Sequence, residues 1–328
     1  MDKHLRSPEK APVDGKSIAD ADAVADADAD GIDRIKSAPE TYQISFMNFV
    51  DRLLNVTLHD VPSIYAFCLI CQKFNDGREI ANWVQAALRL KVNRMDLRIR
   101  QLRNSNFLFD SLFGCNIVSL NLLLDFADDA PECRFSLPNL KMLSVQYMKF
   151  NAVNVLLECC PVLEYLVVCN CYCDPGEMLR ICIPSLMALK LVNGVNCLEG
   201  ELELDAPKLE YFNYGGFLAT RFLGKALKCL RIARLDLEEN MLHHCPQPLP
   251  RFRKLVALAI KVMEPHGWEL LPNLLYCAPN LKKLYLKAGF DVEQYAIFKA
   301  SLDKSFSICL SQRSETCFLL EIKRKVEN

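Results

Sequence analysis

Four times in succession this chain repeats the pattern apolar-x-x-apolar-x-apolar. The copies are Leu140-Lys-Met-Leu143-Ser-Val145, Leu163-Glu-Tyr-Leu166-Val-Val168, Leu186-Met-Ala-Leu189-Lys-Leu191 and Leu209-Glu-Tyr-Phe212-Asn-Tyr214, and their first residues lie 23 apart three times running. A constant step of this size marks stacked coils, each of which buries its apolar side only against its neighbours. The cassette extends in both directions, at Ile64-Phe67-Leu69, Val92-Met95-Leu97, Ile117-Leu120-Leu122, Leu227-Leu230-Ile232, Leu255-Leu258-Ile260 and Leu281-Leu284-Leu286. The outer intervals of 28, 25, 18, 28 and 26 are looser, and the boundaries near 64 and 227 are the least regular. Pro138, Pro161, Pro184, Pro207 and Pro279 each stand two residues before a cassette. Proline there ends the return segment, because it has no N–H with which to continue a helix.

A repeat of about 20–29 residues with a short strand at L-x-x-L-x-L and a variable return segment is the leucine-rich repeat. The expected fold class is therefore α/β, a leucine-rich-repeat solenoid with a curved parallel sheet on the concave side and helices and irregular segments on the convex side. Strand side chains alternate, so cassette positions one, four and six point inward and positions three and five outward. Position three gives Arg94, Ser119, Met142, Tyr165, Ala188, Tyr211 and Lys283, and position five gives Asp96, Asn121, Ser144, Val167, Lys190, Asn213, Arg231 and Tyr285. These two columns are the candidate partner-binding surface, since tyrosine and arginine combine large contact area with a polar end. Tyr165 and Tyr211 fall two repeats apart, about 10 Å at ordinary strand spacing, which suits a side chain or loop inserted between them.

Composition narrows the function class. Lys and Arg total 39 against 40 Asp and Glu, a net charge of −1, which argues against bulk electrostatic binding to nucleic acid or membrane. No apolar run approaches the roughly 18 residues of a membrane helix, and the first 20 residues lack a signal-peptide core, so an intracellular protein, cytoplasmic or nuclear, is expected. No motif for catalysis, a phosphate or another cofactor is present, and His243 and His244 beside Cys245 and Pro246 read as a loop. The basic residues Lys254, Lys261, Lys282, Lys283 and Lys287 read as solvated charge.

Sixteen cysteines are spread along the chain. Most fall at cassette or return-segment positions, where a free thiol acts as a small buried hydrophobe. Cys169, Cys171 and Cys173 form the one dense cluster, and on an extended segment they share a face able to hold a metal or a redox pair. Their spacing is one residue rather than the two to four usual for zinc. Cys68 and Cys71 have C-x-x-C spacing but lie in a predicted strand, where their side chains point apart.

Three regions are expected: a disordered acidic leader over 1–41, with Ala-Asp alternation from Ala19 to Asp30; a repeat domain over 42–288; and a carboxy-terminal cap or tail over 289–328. Phe46, Phe49, Val50, Leu53 and Leu54 recur at helical spacing and predict an amphipathic helix capping the first coil. A second helix is predicted from Arg78 to Leu90 with Ile80, Trp83, Val84, Ala87 and Leu88 on one face and Asp76 near its start. Leu302, Phe306, Ile308, Leu310, Phe318, Leu319, Leu320 and Ile322 are apolar enough to cover the far end.

The order of motifs resembles plant F-box proteins with leucine-rich repeats. The resemblance runs from Phe49-Val-Asp-Arg-Leu-Leu54 and Ile80-Ala-Asn-Trp83 through Ser111-Leu-Phe-Gly-Cys115, Leu137-Pro-Asn-Leu140 and Leu156-Leu-Glu-Cys-Cys-Pro-Val-Leu-Glu-Tyr-Leu166 to Leu270-Leu-Pro-Asn-Leu-Leu-Tyr-Cys-Ala-Pro-Asn-Leu281, about residues 46 to 288. It implies a substrate-recognition region of a ubiquitin-ligase receptor, whose F-box docks on the ligase adaptor. Asp30-Gly-Ile-Asp-Arg-Ile35 is similar to the opening of an F-box, yet Ser45-Phe-Met-Asn-Phe49 follows almost at once, and no segment resembling the family's FBD follows residue 288. The expectation is thus a non-catalytic module that binds a partner protein on its concave surface and lacks ligase docking. Two alternatives stand beside it: a metal- or thiol-responsive protein using the cysteine cluster, and a competitor of full-length relatives.

Overall fold

Parallel pairing of one cassette with the next organises the described residues from Ala66 to Ile322. A computed structural model describes residues 40–71, 77–100, 102, 106–112, 114–125, 136–174, 176–192, 201–215, 227–237, 251–262, 271–288 and 317–322. The chain divides into two units, Met1–Arg52 and Leu53–Asn328. Asp76, the His243-His244-Cys245 group and the apolar residues from Leu302 to Leu310 lie outside the described residues, as do residues 1–39.

In the first unit helix α1 spans Glu40–Arg52. Of the predicted apolar face Val50 is buried, but Phe46 and Phe49 are 41% and 62% exposed. Phe49 precedes Val50 by one residue, about 100° around a helix of 3.6 residues per turn, so burying one turns the other to solvent. The helix also stops earlier than the periodicity implies. Leu53–Thr57 form a π-helical turn, closed by Leu58 N–H donating to Leu53 C=O at 2.9 Å, and Leu54 is buried in it.

The second unit carries an eleven-stranded sheet. Its strands are β1 (Ala66–Cys71), β2 (Arg94–Arg100), β3 (Ser119–Asp125), β4 (Met142–Gln146), β5 (Tyr165–Cys169), β7 (Ala188–Val192), β9 (Tyr211–Gly215), β10 (Ile232–Leu237), β11 (Ala257–Val262), β12 (Lys283–Ala288) and β13 (Cys317–Ile322), paired in that order. Every pairing is parallel, and Leu120, Leu143, Leu166, Leu189 and Phe212 stand opposite one another in consecutive rungs. Behind them Leu97, Leu122, Val145, Val168 and Leu191 are wholly buried, forming one apolar spine along the stack.

Return segments vary along the unit. Helix α2 (Gly77–Arg89) buries Ile80, Trp83, Val84 and Ala87 as predicted, while Leu88 of the same predicted face is only half-buried, and α3 (Asn106–Ser111), α4 (Phe150–Glu158) and α5 (Leu271–Cys277) serve other coils. Two coils use strands instead, β6 (Met178–Cys182) and β8 (Glu201–Asp205), paired in parallel as a separate two-stranded sheet. Their sequences alternate strictly, burying Leu179, Ile181, Leu202 and Leu204 while Arg180 and Glu203 meet outside at 3.6 Å. Asn154 of α4 finishes this sheet's edge: its Nδ2 donates to Met178 C=O at 2.8 Å and its Oδ1 accepts from Arg180 N–H at 2.8 Å. One side-chain amide here does the work of an adjoining strand. Asn154→Leu leaves both backbone groups without those partners, and a loss of about 1–3 kcal/mol is expected in urea unfolding, with little loss for the same change at exposed Asn151 of the same helix.

The prolines before the cassettes have a more specific task than ending a helix. Leu140, Leu163, Leu186, Leu209 and Leu281 each donate their N–H to the carbonyl three residues back, so Pro138, Pro161, Pro184, Pro207 and Pro279 occupy the second position of a β-turn. That position wants the φ proline already has. The residue after the proline then ties coil to coil: Asn139 Nδ2 donates to Asn116 Oδ1, Ser185 Oγ to Leu163 C=O and Asn280 Nδ2 to Arg253 C=O, at 2.7–2.9 Å.

The cassette predicted to start at Leu227 is displaced by three residues. Ile232 pairs with Tyr211 and Arg234 with Asn213, so the true copy is Leu230-Arg-Ile-Ala233-Arg-Leu235, and Leu227–Cys229 form a 3-10 turn before it. Both frames place apolar residues at all three inward positions. The observed one restores the interval to 21 residues and gives the following coil 25. Residues beyond 288 also add β13 as a further rung, with Phe318 opposite Leu284, where a cap or tail was expected.

Candidate functional site

Alternation puts the predicted columns where the sequence expected them, on the face of the large sheet away from the spine. In β4, Met142 is 42% exposed and Ser144 and Gln146 half-buried, while Leu143 and Val145 are buried. Position three runs Arg94, Ser119, Met142, Tyr165, Ala188, Tyr211, Ile232, Ala257, Lys283, and position five runs Asp96, Asn121, Ser144, Val167, Lys190, Asn213, Arg234, Ala259, Tyr285. A third outward column, at position seven, was missed: it includes Arg98, Gln146, Val192, Asp236, Lys261 and Lys287. The signal for it was the same period of two, continued for one more residue pair.

Two predicted members do not sit as expected. Arg231 is not at position five but precedes β10. Its guanidinium lies on the entry edge, 3.6 Å from Glu210, and Arg234 takes the outward place. Tyr211 holds its register, yet only 6% of it is exposed. Ile232 stands beside it in the next rung, and the Arg234 guanidinium lies 5.9 Å from the centre of its ring. Side chains in adjacent rungs are only about 4.8 Å apart, so a ring flanked and overlaid in this way loses its solvent. Tyr165 therefore offers more accessible ring than Tyr211, and Ala188 between them is small.

Electrostatics divide the face. Asp96 is held within the fold: Arg98 donates Nε and Nη2 to its two oxygens at 3.2 Å and Asn121 Nδ2 donates at 2.9 Å. Farther along, Lys190, Arg234, Lys261, Lys283 and Lys287 stand at outward positions together with Asp236, which is 3.5 Å from Lys261, and Glu321, which pairs in register with Lys287 on β13. Lys254 and Lys282, grouped with them by sequence, stand on the entry edge instead, and Lys254 Nζ is 3.6 Å from Cys229 Sγ.

Residues 80–232 match the family described as FBD-associated F-box protein At5g56370, LRR repeats. The repeat region is thus similar to that of plant F-box/FBD/leucine-rich-repeat proteins. Among its Arabidopsis thaliana relatives, the putative F-box/LRR-repeat protein At5g41840 is 26% identical over 81% of this chain and 60% of its own length. The putative F-box/FBD/LRR-repeat protein At1g66300 is 24% identical over 73% of this chain and 63% of its own, and F-box/LRR-repeat protein 13 is 25% identical over 75% and 65%. The chain thus spans about three fifths of the length of these curated relatives.

The leucine-rich-repeat pattern itself accounts for the cysteine cluster. The repeat consensus continues L-x-x-L-x-L-x-x-N/C, and Leu163, Leu166, Val168 and Cys171 occupy its four places. Cys171 is buried, with Sγ 3.5 Å from Cys169 C=O and 3.9 Å from Val145 C=O, so it closes the turn after the strand. Asn170 has φ +50°, which ends the extended alternation that would have put Cys169, Cys171 and Cys173 on one face. Among the described residues no group of three potential ligands is placed to hold a metal. Cys68 is exposed and Cys71 buried, pointing apart as predicted. Among the described residues no helix is long and apolar enough to cross a membrane.

Proposed function

We propose that this chain is a non-catalytic receptor that binds a partner protein on the outward face of its large sheet. The observation that carries the reading is a run of Met142, Tyr165, Val167 and Ala188 on adjacent rungs, side chains the repeat scaffold does not need for its own core. Flat apolar and aromatic groups held rigidly by strands bind with little loss of side-chain entropy. In this reading the repeats recognise the partner inside the cell, and an F-box, as printed in the relatives' names, would join that partner to a ubiquitin ligase.

The test is affinity purification of the full chain with quantitative mass spectrometry, comparing wild type with a Met142→Ala/Tyr165→Ala variant and an Arg180→Ala control on the two-stranded sheet. A prey reduced at least about tenfold by the double variant and kept by the control supports the reading. A prey kept by the double variant refutes it. Pull-down with the ligase adaptor separates the two forms of the idea: adaptor capture supports delivery to a ligase, and capture of the target alone makes the chain a competitor.

A further inference from the structure

We propose that the partner protein lays an acidic segment along the strand-entry edge of the large sheet, across the turns that lead into β9 to β12. The inference rests on the partner being a protein and adds a second contact beside the outward face. Lys208, Lys228, Arg251, Arg253 and Lys282 stand exposed on these turns, and none of them has an ion pair among the described residues. Lys254 and Arg231 join them. Lys254 Nζ lies 3.6 Å from Cys229 Sγ, and Arg231 lies 3.6 Å from Glu210, the one described carboxylate on this stretch of the edge. Asp205, in register with Cys182 at the end of β8, belongs to the two-stranded sheet. On the turns into β3 to β7 the same edge carries uncharged Asn116, Asn139, Val162 and Ser185, and Lys141 is neutralised by Glu164 at 2.9 Å. The whole chain has a net charge of −1, so cations are concentrated on one half of one edge.

The scaffold does not ask for these charges. Leu230 and Leu255 donate their N–H to the Leu227 and Phe252 carbonyls, so Lys228 and Arg253 hold the second turn position that proline holds before β4, β5, β7, β9 and β12. Proline's fixed φ suits that position, and a lysine or arginine there adds a cation without helping the turn. The hydrogen-bonded turns hold the cations' backbones in place, which lessens the entropy lost on binding. Three strand-to-strand steps of about 4.8 Å cover roughly 14 Å, the length of about four extended residues. Carboxylates on a segment of that length meet several ammonium and guanidinium groups at once. A nucleic acid strand fits less well: single-strand sites combine basic grooves with several stacking aromatics, and this stretch offers only Tyr276, beside Cys277, whose C=O accepts from Phe252 N–H. An anionic lipid surface also fits less well, since no exposed leucine, phenylalanine or tryptophan stands among the described residues of this edge to enter it.

The test uses the full chain with a fluorescein-labelled glutamate-rich peptide, its glutamine counterpart, a DNA strand of the same charge and phosphatidylserine vesicles. By fluorescence anisotropy at low salt, the glutamate peptide is expected to bind at least about tenfold more tightly than the glutamine peptide, and that margin to shrink as salt is raised. Lys228→Glu/Arg253→Glu is expected to abolish the margin. Arg253→Pro, which restores the ordinary turn residue, is expected to narrow it about threefold with no loss of thermal stability. Arg180→Glu, on the two-stranded sheet, is expected to leave it intact. No binding of the glutamate peptide, equal binding of the glutamine peptide, tighter binding of DNA or vesicles, a margin that survives charge reversal, or one that Arg180→Glu narrows as much as Arg253→Pro does, overturns the proposal. In affinity purification, prey lost by Met142→Ala/Tyr165→Ala but kept by Lys228→Glu/Arg253→Glu overturns the acidic edge contact alone. Prey kept by both variants overturns the outward face as well.

Discussion

Leu143→Ala is expected to lower the free energy of unfolding by about 2–5 kcal/mol, while Met142→Ala, one residue earlier, changes it by less than about 1 kcal/mol. The two side chains are close in volume and belong to one strand, so their difference isolates the face they occupy. Leu143 is 2% exposed and stands in register between Leu120 and Leu166. Removing it takes methyl groups from both neighbouring rungs and leaves a cavity that the stack fills only by moving strands held by parallel ladders. Met142 is 42% exposed and loses mainly solvent contact. Each coil packs only on its neighbours, so the damage is local at first. Amide hydrogen exchange should lose protection in β3, β4 and β5 before β11 and β12. Equal losses for the two variants, measured by urea denaturation, would mean that inward and outward faces are not what the alternation says. The same experiment guards the functional test, because Met142→Ala is informative about binding only if the variant stays folded.

The stack itself was legible because the cassette repeats a physical requirement. Every coil needs three apolar side chains at the same offsets, and nine of the ten predicted copies sit in the predicted register. Register failed at Leu227 because the pattern is degenerate there: Leu227, Leu230 and Ile232 satisfy one frame and Leu230, Ala233 and Leu235 another, and only pairing with β9 selects one. Missing that shift exchanged Arg234 for Arg231 in the candidate surface. Tyr211 shows a different limit. Its direction follows from its own strand, but its exposure depends on Ile232 and Arg234 of the next coil, which no local period reports. The strands β6 and β8 were legible in principle, since Glu201-Leu-Glu-Leu-Asp205 alternates as plainly as any cassette. The outward placement of Lys261 and Lys287 emerged only when position seven joined positions three and five, and the sequence run containing Lys282 and Lys283 mixes an edge residue with an outward one.

Alkaline pH should unfold this chain through its buried thiols, with Cys160 contributing most. Burial pushes the Cys160 thiol up to about 12 from an ordinary 9.0, the neighbouring Cys159 and Cys115 adding to the rise, and burial pushes Cys71 up to about 11. Cys160 also donates from Sγ to Leu156 C=O at 3.1 Å, a bond only the protonated thiol makes. The folded chain therefore holds these protons where the unfolded chain has released them. Fewer protons on the unfolded state mean that stability falls as pH rises, so the contribution is complete below about pH 9 and disappears through about pH 11 for Cys71 and pH 12 for Cys160. Each such group steepens the decline by about 1.4 kcal/mol per pH unit within its window. Lysines and tyrosines titrate in the same range, which makes the wild-type slope alone uninformative. Cys160→Ala cancels them: it should start less stable at pH 8, where the lost packing and the lost Sγ bond both count, and then decline more gently between pH 9 and 11, by about 1.4 kcal/mol per unit. The two stability profiles should converge as pH rises. Profiles that stay parallel in urea denaturation across that range would show that the Cys160 thiol ionises in the folded chain as readily as in the unfolded one. Its place at the start of the turn before Leu163 would then be open to water rather than sealed beneath the coil.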